Sequence, residues 1–319
     1  MEIRVTLQNE SKTMEEALED FIFHCKYEKG LSGKTMKAYQ IDLSQLEEYL
    51  RMEFSVGKIE MVTKEMIKSY LQTISDYKYK TIKRKIASMK TFFAFYEFEN
   101  ETFINPFRKL KIRLKEPQVL PTVMCCNEVK RILNFLYQER MKNKKNDSYA
   151  YKSQTRNIAI VELLFATGIR VSELCQLQYK DIDLTNGTIK VYGKGNKERI
   201  IQICSKEVIS VLKDYYDFFK PDSYFFINRL GHEISPQSVR LLVRRCTNTL
   251  NLSKHITPHT FRHTFATLLL EEDVDIKYIQ NLLGHSSIVT TQIYTHVNLS
   301  KQKKILSNKH PRNKFDFNQ

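Results

Sequence analysis

The chain has 319 residues, 42% of them apolar, with 51 basic against 36 acidic side chains and a formal charge of +15. That length suits two domains with real cores, the composition excludes a disordered or fibrous protein, and the charge points to a polyanionic partner. The opening residues hold no apolar signal core and no stretch of roughly 18 apolar residues occurs, so neither a leader nor a membrane span is expected and the protein is placed in the cytoplasm, away from membranes.

Helical periodicity governs the first part. Leu18, Phe21, Ile22 and Cys25 recur at helical spacing, Gly30 and Gly33 interrupt the pattern, and Tyr39, Leu43, Leu46 and Leu50 resume it. Thr63 is predicted to cap a third run holding Ile67, Tyr70, Leu71 and Ile74. A fourth carries Ile82, Ile86, Met89, Phe93 and Tyr96. No acidic residue falls between Asp76 and Glu97, whereas Lys78, Lys80, Lys83, Arg84, Lys85 and Lys90 all do. Apolar residues on one side and cations on the other suit a helix lying against DNA through Lys83, Arg84 and Lys85; a solvated charged face is the alternative. Asn105 and Pro106 close this helical region. The expected layout is a helical domain over 1–110, a basic, proline-bearing linker over 111–122 and a second domain over 123–319. Cut after Pro117, the chain carries 21 basic against 18 acidic residues before and 30 against 18 after, so the excess charge lies mainly in the second part. The six cysteines show no Cys-x-x-Cys spacing and read as reduced and mostly buried.

In the second part a helix is predicted from Asn127, with Val129, Ile132, Leu133 and Leu136 inside, followed by a lysine-rich polar loop over 138–156. NIAIVELLFATG reads as a buried helix stopping at Gly168. A further helix begins at once, with Arg170 near its start and Glu173 on the same face, where the carboxylate can hold the guanidinium; a surface ion pair is the alternative. TIKVYGKGNKERIIQI alternates like a β-hairpin with Lys194 in its turn, and its lack of Walker spacing excludes ATP binding. Arg240, Arg244 and Arg245 can contact DNA. Thr257 and Pro258 then form a helix start that sets His259 and Arg262 on one side and Phe261, Phe265, Leu268 and Leu269 on another, leaving the His and Arg face free for chemistry. Ile276, Ile279 and Leu283 form a last run that stops at Gly284 in a left-handed turn. His285 comes next, and Tyr294 follows.

Two histidines, an arginine and a tyrosine so arranged suit one target, a phosphodiester. Arginine offers a fork to its oxygens, histidine a proton or hydrogen bond, and tyrosine a covalent nucleophile. Here the sequence resembles the tyrosine recombinase (phage integrase) family, Xer-like members above all. The resemblance rests on ATGIRVSEL, the HTFRH box, LLGH and TTQIYTHV. It implies a mainly α fold with a small β-hairpin or sheet (α+β), in which a helical core-binding bundle clamps DNA opposite a catalytic domain; the C-terminal subunit-contact tail is expected to dock on a neighbouring protomer, with packing on its own domain as the alternative.

The resemblance also assigns roles. Tyr294 attacks the scissile phosphate, Lys194 is the general acid, Arg170 and Arg262 neutralise the transition state, His285 donates to a non-bridging oxygen and His259 takes the tyrosine proton. Glu173 and His263 become supports. His259 and His263 are spaced like a zinc pair, but the glutamate of that motif is missing and no metal is expected. No cofactor is expected either. Lys34 and Lys37, in a segment like the opening of the core-binding domain, and Lys197 and Arg199, on the hairpin, become DNA contacts. The expected partners are duplex DNA with short inverted half-sites, further copies of the chain forming a tetramer on DNA, and accessory DNA-binding proteins. The rivals are a non-cutting DNA-binding regulator on the same scaffold and a type IB topoisomerase. With the resemblance starting so early, no separate arm-binding domain is expected.

Overall fold

Thr13 and Glu16 open the first helix by capping each other: Thr13 accepts from the Glu16 amide, and the Glu16 carboxylate accepts from the Thr13 amide at 2.8 Å. The computed structural model describes residues 11–114, 121–143, 149–193 and 198–284. The chain divides into two compact units, Met1–Gln118 and Val119–Gln319.

In the first unit α1 (Met14–Phe23) runs on into a π-turn, His24–Glu28, that the apolar spacing does not reveal. Ser32 caps α2 (Gly33–Phe54), and Thr63 caps α3 (Lys64–Thr73) as predicted; α4 spans Tyr79–Glu99. Their apolar stripes meet in a core of Phe21, Leu43, Leu46, Leu50, Ile67, Met89, Phe92 and Phe93. Phe103 and Phe107 extend it beyond α4, and Ile112 packs against it too, although it was expected in the linker.

One polar network lies inside this apolar interior. Asp42, buried on α2, accepts from Ser88 at 2.8 Å and pairs with Arg84 and Lys85. Lys85 is 2% exposed and also donates to Gln45. This corrects the expectation that Lys85 faces DNA: its ammonium compensates a buried carboxylate that would otherwise be strongly destabilising. Arg84 keeps part of its side chain in solvent but is bound to the same carboxylate. Lys34, Lys37 and Lys83 are exposed.

The second unit is built round α6 (Tyr149–Thr167), whose Ile158–Leu164 turns are buried on every side and apolar but for Glu162, which accepts from the Tyr137 hydroxyl at 2.9 Å. Before it stands α5 (Cys126–Met141), capped at Cys125 rather than Asn127 because the Glu128 carboxylate reaches back to the Cys125 amide. The short α7 (Val171–Gln176) follows. Then β1 (Ile182–Asp183), β2 (Thr188–Tyr192) and β3 (Glu198–Gln202) form an antiparallel sheet in that order, with Val191 opposite Arg199 and Ile189 opposite Ile201. The predicted hairpin is β2 and β3; β1 is too short to announce itself. On β3, Ile201 is 3% exposed and Ile200 70%, so strand alternation turns Arg199 inward with Ile201. Among the described residues four helices follow: α8 (Lys206–Phe219), α9 (Pro236–Thr249), α10 (Pro258–Glu271) and α11 (Ile276–Leu283).

Candidate active site: three arginines on one helix end

The last carbonyls of any helix lack intrahelical donors and carry the negative end of its dipole, so they attract cations. At the end of α11 the carbonyls of Leu282, Leu283 and Gly284 each accept from a different arginine. Arg199 Nε donates to Leu282 at 3.3 Å, Arg262 Nη2 to Leu283 at 2.6 Å and Arg170 Nη2 to Gly284 at 2.9 Å.

Each arginine arrives from its own element. Thr257 caps α10 and Pro258 occupies its first turn, as predicted, and Arg262 follows one turn on. It is not on an open face: at 4% exposure it is buried, and Nη1 donates to the Gly168 carbonyl at 2.8 Å. That is a correction to the reading of a free His and Arg face, and its cause is the pair of helix ends, of α6 and α11, that the guanidinium spans.

Gly168 ends α6 with φ +60°, and a Cβ there would come within 2.7 Å of Phe265 and 2.9 Å of Leu283. Only glycine satisfies both the backbone and the space. Gly168→Ala is therefore expected to lose about 2–4 kcal/mol, the left-handed penalty plus overpacking. A lowered denaturant midpoint would register the loss; an unchanged midpoint would mean that the end of α6 can move.

Arg170 is the N-cap residue of α7. Its amide donates to Glu173 Oε2 at 3.0 Å and its Nη1 to Oε1 at 2.7 Å. The Glu173 side chain is only 5% exposed, so this is no surface pair. Arg199 grips the same carboxylate, Nη1 on Oε1 at 2.9 Å and Nη2 on Oε2 at 2.7 Å. Burial pushes the Glu173 carboxyl up, but the bonds from Arg199 and Arg170 outweigh it and hold the pKa below the usual carboxylate value. Arg199, expected on a DNA phosphate, is instead committed to Glu173 and Leu282. A signal for this lay in the sequence: Arg199 falls in phase with the apolar Ile201.

His259 lies on the first turn of α10 with its residue surface still open to solvent. Desolvation by the surrounding protein, then the charges of Arg262, Arg240 and Arg170, lower its pKa, so at neutral pH the ring is neutral and able to take a proton. His263, half-buried one turn on, is lowered by desolvation and then by His259 and Arg262. Arg240, Arg244 and Arg245 are exposed on α9. Lys194, Lys197, His285 and Tyr294 lie outside the described residues, though His285 directly follows Gly284 in the chain.

The sequence from 123 to 301 matches the Phage integrase family, and 18–100 matches the N-terminal SAM-like domain of phage integrases. The chain belongs to the phage integrase family. A tyrosine recombinase of Agathobacter rectalis is 45% identical over 305 residues, covering 94% of this chain and 98% of that protein. The tyrosine recombinase XerD of Staphylococcus saprophyticus is 34% identical over 308 residues, 94% of this chain and 100% of the relative. The integrase fold itself is seen in the crystal structure of XerH site-specific recombinase bound to palindromic difH, a post-cleavage complex. It superposes with TM-score 0.72 over 91% of this chain and 83% of that one at 23% identity. The mainly helical architecture with one small antiparallel sheet is that of an integrase.

Proposed function

We propose that this integrase-family chain is a site-specific DNA recombinase that cuts and rejoins strands through a 3′-phosphotyrosine. The observation that carries the reading is the convergence of Arg170 and Arg262 on the carbonyls of Leu283 and Gly284, immediately before His285 in the chain. Two guanidinium groups from separate elements, held by fixed acceptors, form the kind of preorganised positive site that phosphoryl transfer requires.

In this reading the phenolic oxygen of Tyr294 bonds to phosphorus and its proton passes to neutral His259. The bond to the 5′ oxygen breaks, and that oxygen takes a proton from Lys194. Arg170, Arg262 and His285 meet the charge on the non-bridging oxygens. A 5′-hydroxyl from a second strand reverses the steps, so one phosphodiester is exchanged for another and the chain needs neither ATP nor a metal. The partner is duplex DNA with short inverted half-sites, contacted by exposed cations such as Lys34, Lys37 and Lys83, with Lys197 as a further phosphate contact. The active assembly is a tetramer on DNA in the cytoplasm, with the C-terminal tail joining protomers and accessory DNA-binding proteins directing it.

The test is to incubate the protein in EDTA with a nicked duplex carrying a site it has itself selected from a random-sequence library, then denature. A covalent protein–DNA adduct is expected. Tight binding without an adduct would make the chain a non-cutting regulator; a strict divalent requirement would point to another nuclease class; site-independent plasmid relaxation would favour the topoisomerase.

A further inference from the structure

We propose that Arg199 is a positioning residue for this site: through Glu173 it sets the place and net charge of Arg170, and through Leu282 it fixes the end of α11. The inference rests on the role of Arg170 given above and extends it to a residue on a different element.

The hydrogen bonds define the path. Both Glu173 oxygens accept from Arg199, and both also accept from Arg170, one from its side chain and one from its amide. Arg199 therefore holds the carboxylate from one side while Arg170 is held from the other. With its Nη1 on Oε1 alone, Arg170 keeps Nη2 for Gly284 rather than closing a two-bond fork on the acid. Charge gives the second reason. Glu173 offsets the charge of Arg170 and would leave the cluster with that of Arg262 alone; Arg199 adds a further positive charge.

The Arg199 side chain is 13% exposed, and its three nitrogens already have acceptors between 2.7 and 3.3 Å. Its fork is spent on the carboxylate that it shares with Arg170. A third, independent observation ties it to α11. A Cβ at Gly284 would lie 3.0 Å from both Cδ and Nη1 of Arg199, so the guanidinium end of the arginine lies against the helix stop itself. Arg199 also sits opposite Val191 in the β2–β3 pair, the hairpin whose turn sequence contains Lys194. One side chain thus joins the base of that hairpin, the carboxylate that orients Arg170, and the last turn before His285.

The test uses the full chain and the nicked duplex bearing the self-selected site. Arg199→Gln is expected to lower the single-turnover rate of adduct formation, at saturating protein, by about tenfold or more while the Kd for the duplex stays within about twofold. Arg199→Lys, which keeps the charge but not the fork, should recover part of that rate. The deciding arm is a double variant: if Arg199 acts through Arg170, adding Arg199→Gln to Arg170→Lys should cost little more than Arg170→Lys alone. A rate within about twofold of the wild type in a folded Arg199→Gln protein would overturn the proposal, and so would a fully additive loss in the double variant. Weakened binding at an unchanged rate would also overturn it, marking Arg199 as a phosphate contact. Should Arg199→Gln fail to fold, Arg199→Lys carries the same comparison, with melting temperature measured alongside. Failure of the wild type itself to form an adduct would overturn the cleavage reading, and with it this one; an active wild type with an indifferent Arg199 isolates the failure to Arg199.

Discussion

Tyr294→Phe is expected to bind DNA as the parent does and to form no covalent adduct, a loss of at least about 10³-fold in cleavage. The substitution removes one oxygen and leaves the ring, so it deletes the proposed nucleophile while disturbing little else. Binding should persist because the positive site is assembled by other residues: Arg170 and Arg262 are held by Glu173 and by the carbonyls of α6 and α11. A denaturing gel reads the adduct and fluorescence anisotropy reads the affinity. The two readouts must separate. Adduct at the parental level would move the nucleophile elsewhere, and Tyr278, 67% exposed on α11, would be the first residue to map. Loss of both adduct and binding would instead make Tyr294 part of the DNA surface or of the fold.

What could be read in the sequence was mostly local. Thr63, Thr257 with Pro258, Gly168 and Gly284 all mark helix ends where predicted, because a cap or a left-handed stop is decided within a few residues. Arg170 and Glu173 were legible as a pair for the same reason. The parts that were not legible depend on partners distant in sequence. Lys85 sits in a run of cations that reads as a charged surface, and only the fold shows Asp42 of α2 buried against it. Arg262 looked free because its acceptors, the Gly168 and Leu283 carbonyls, are backbone atoms that no side-chain pattern records. Arg199 reads as a DNA contact from the family resemblance and its place on the hairpin; its burial follows from strand phase and from Glu173 on another element. A sequence thus displays the groups that do chemistry more readily than the groups that hold them.

That distinction gives Arg262→Lys its interest, since Arg262 is assigned to both classes. Lysine keeps the positive charge but replaces a planar fork with a single point, and cannot span Gly168 and Leu283 as the guanidinium does at 2.8 and 2.6 Å. Two consequences follow, of different size. Leaving one buried carbonyl without its donor should cost about 1–3 kcal/mol of stability. Losing a preorganised donor to the transition state should cost about 10²–10³ in the cleavage rate at saturating DNA. The stability loss alone does not reproduce the rate loss: so long as the variant is mostly folded at the assay temperature, the active fraction changes little. Melting temperature and adduct kinetics, measured well below the transition, separate the two. If the rate recovers on cooling or on adding a stabilising osmolyte, Arg262 only joins α6 to α11; if the deficit persists in fully folded protein, the guanidinium acts on the phosphate itself.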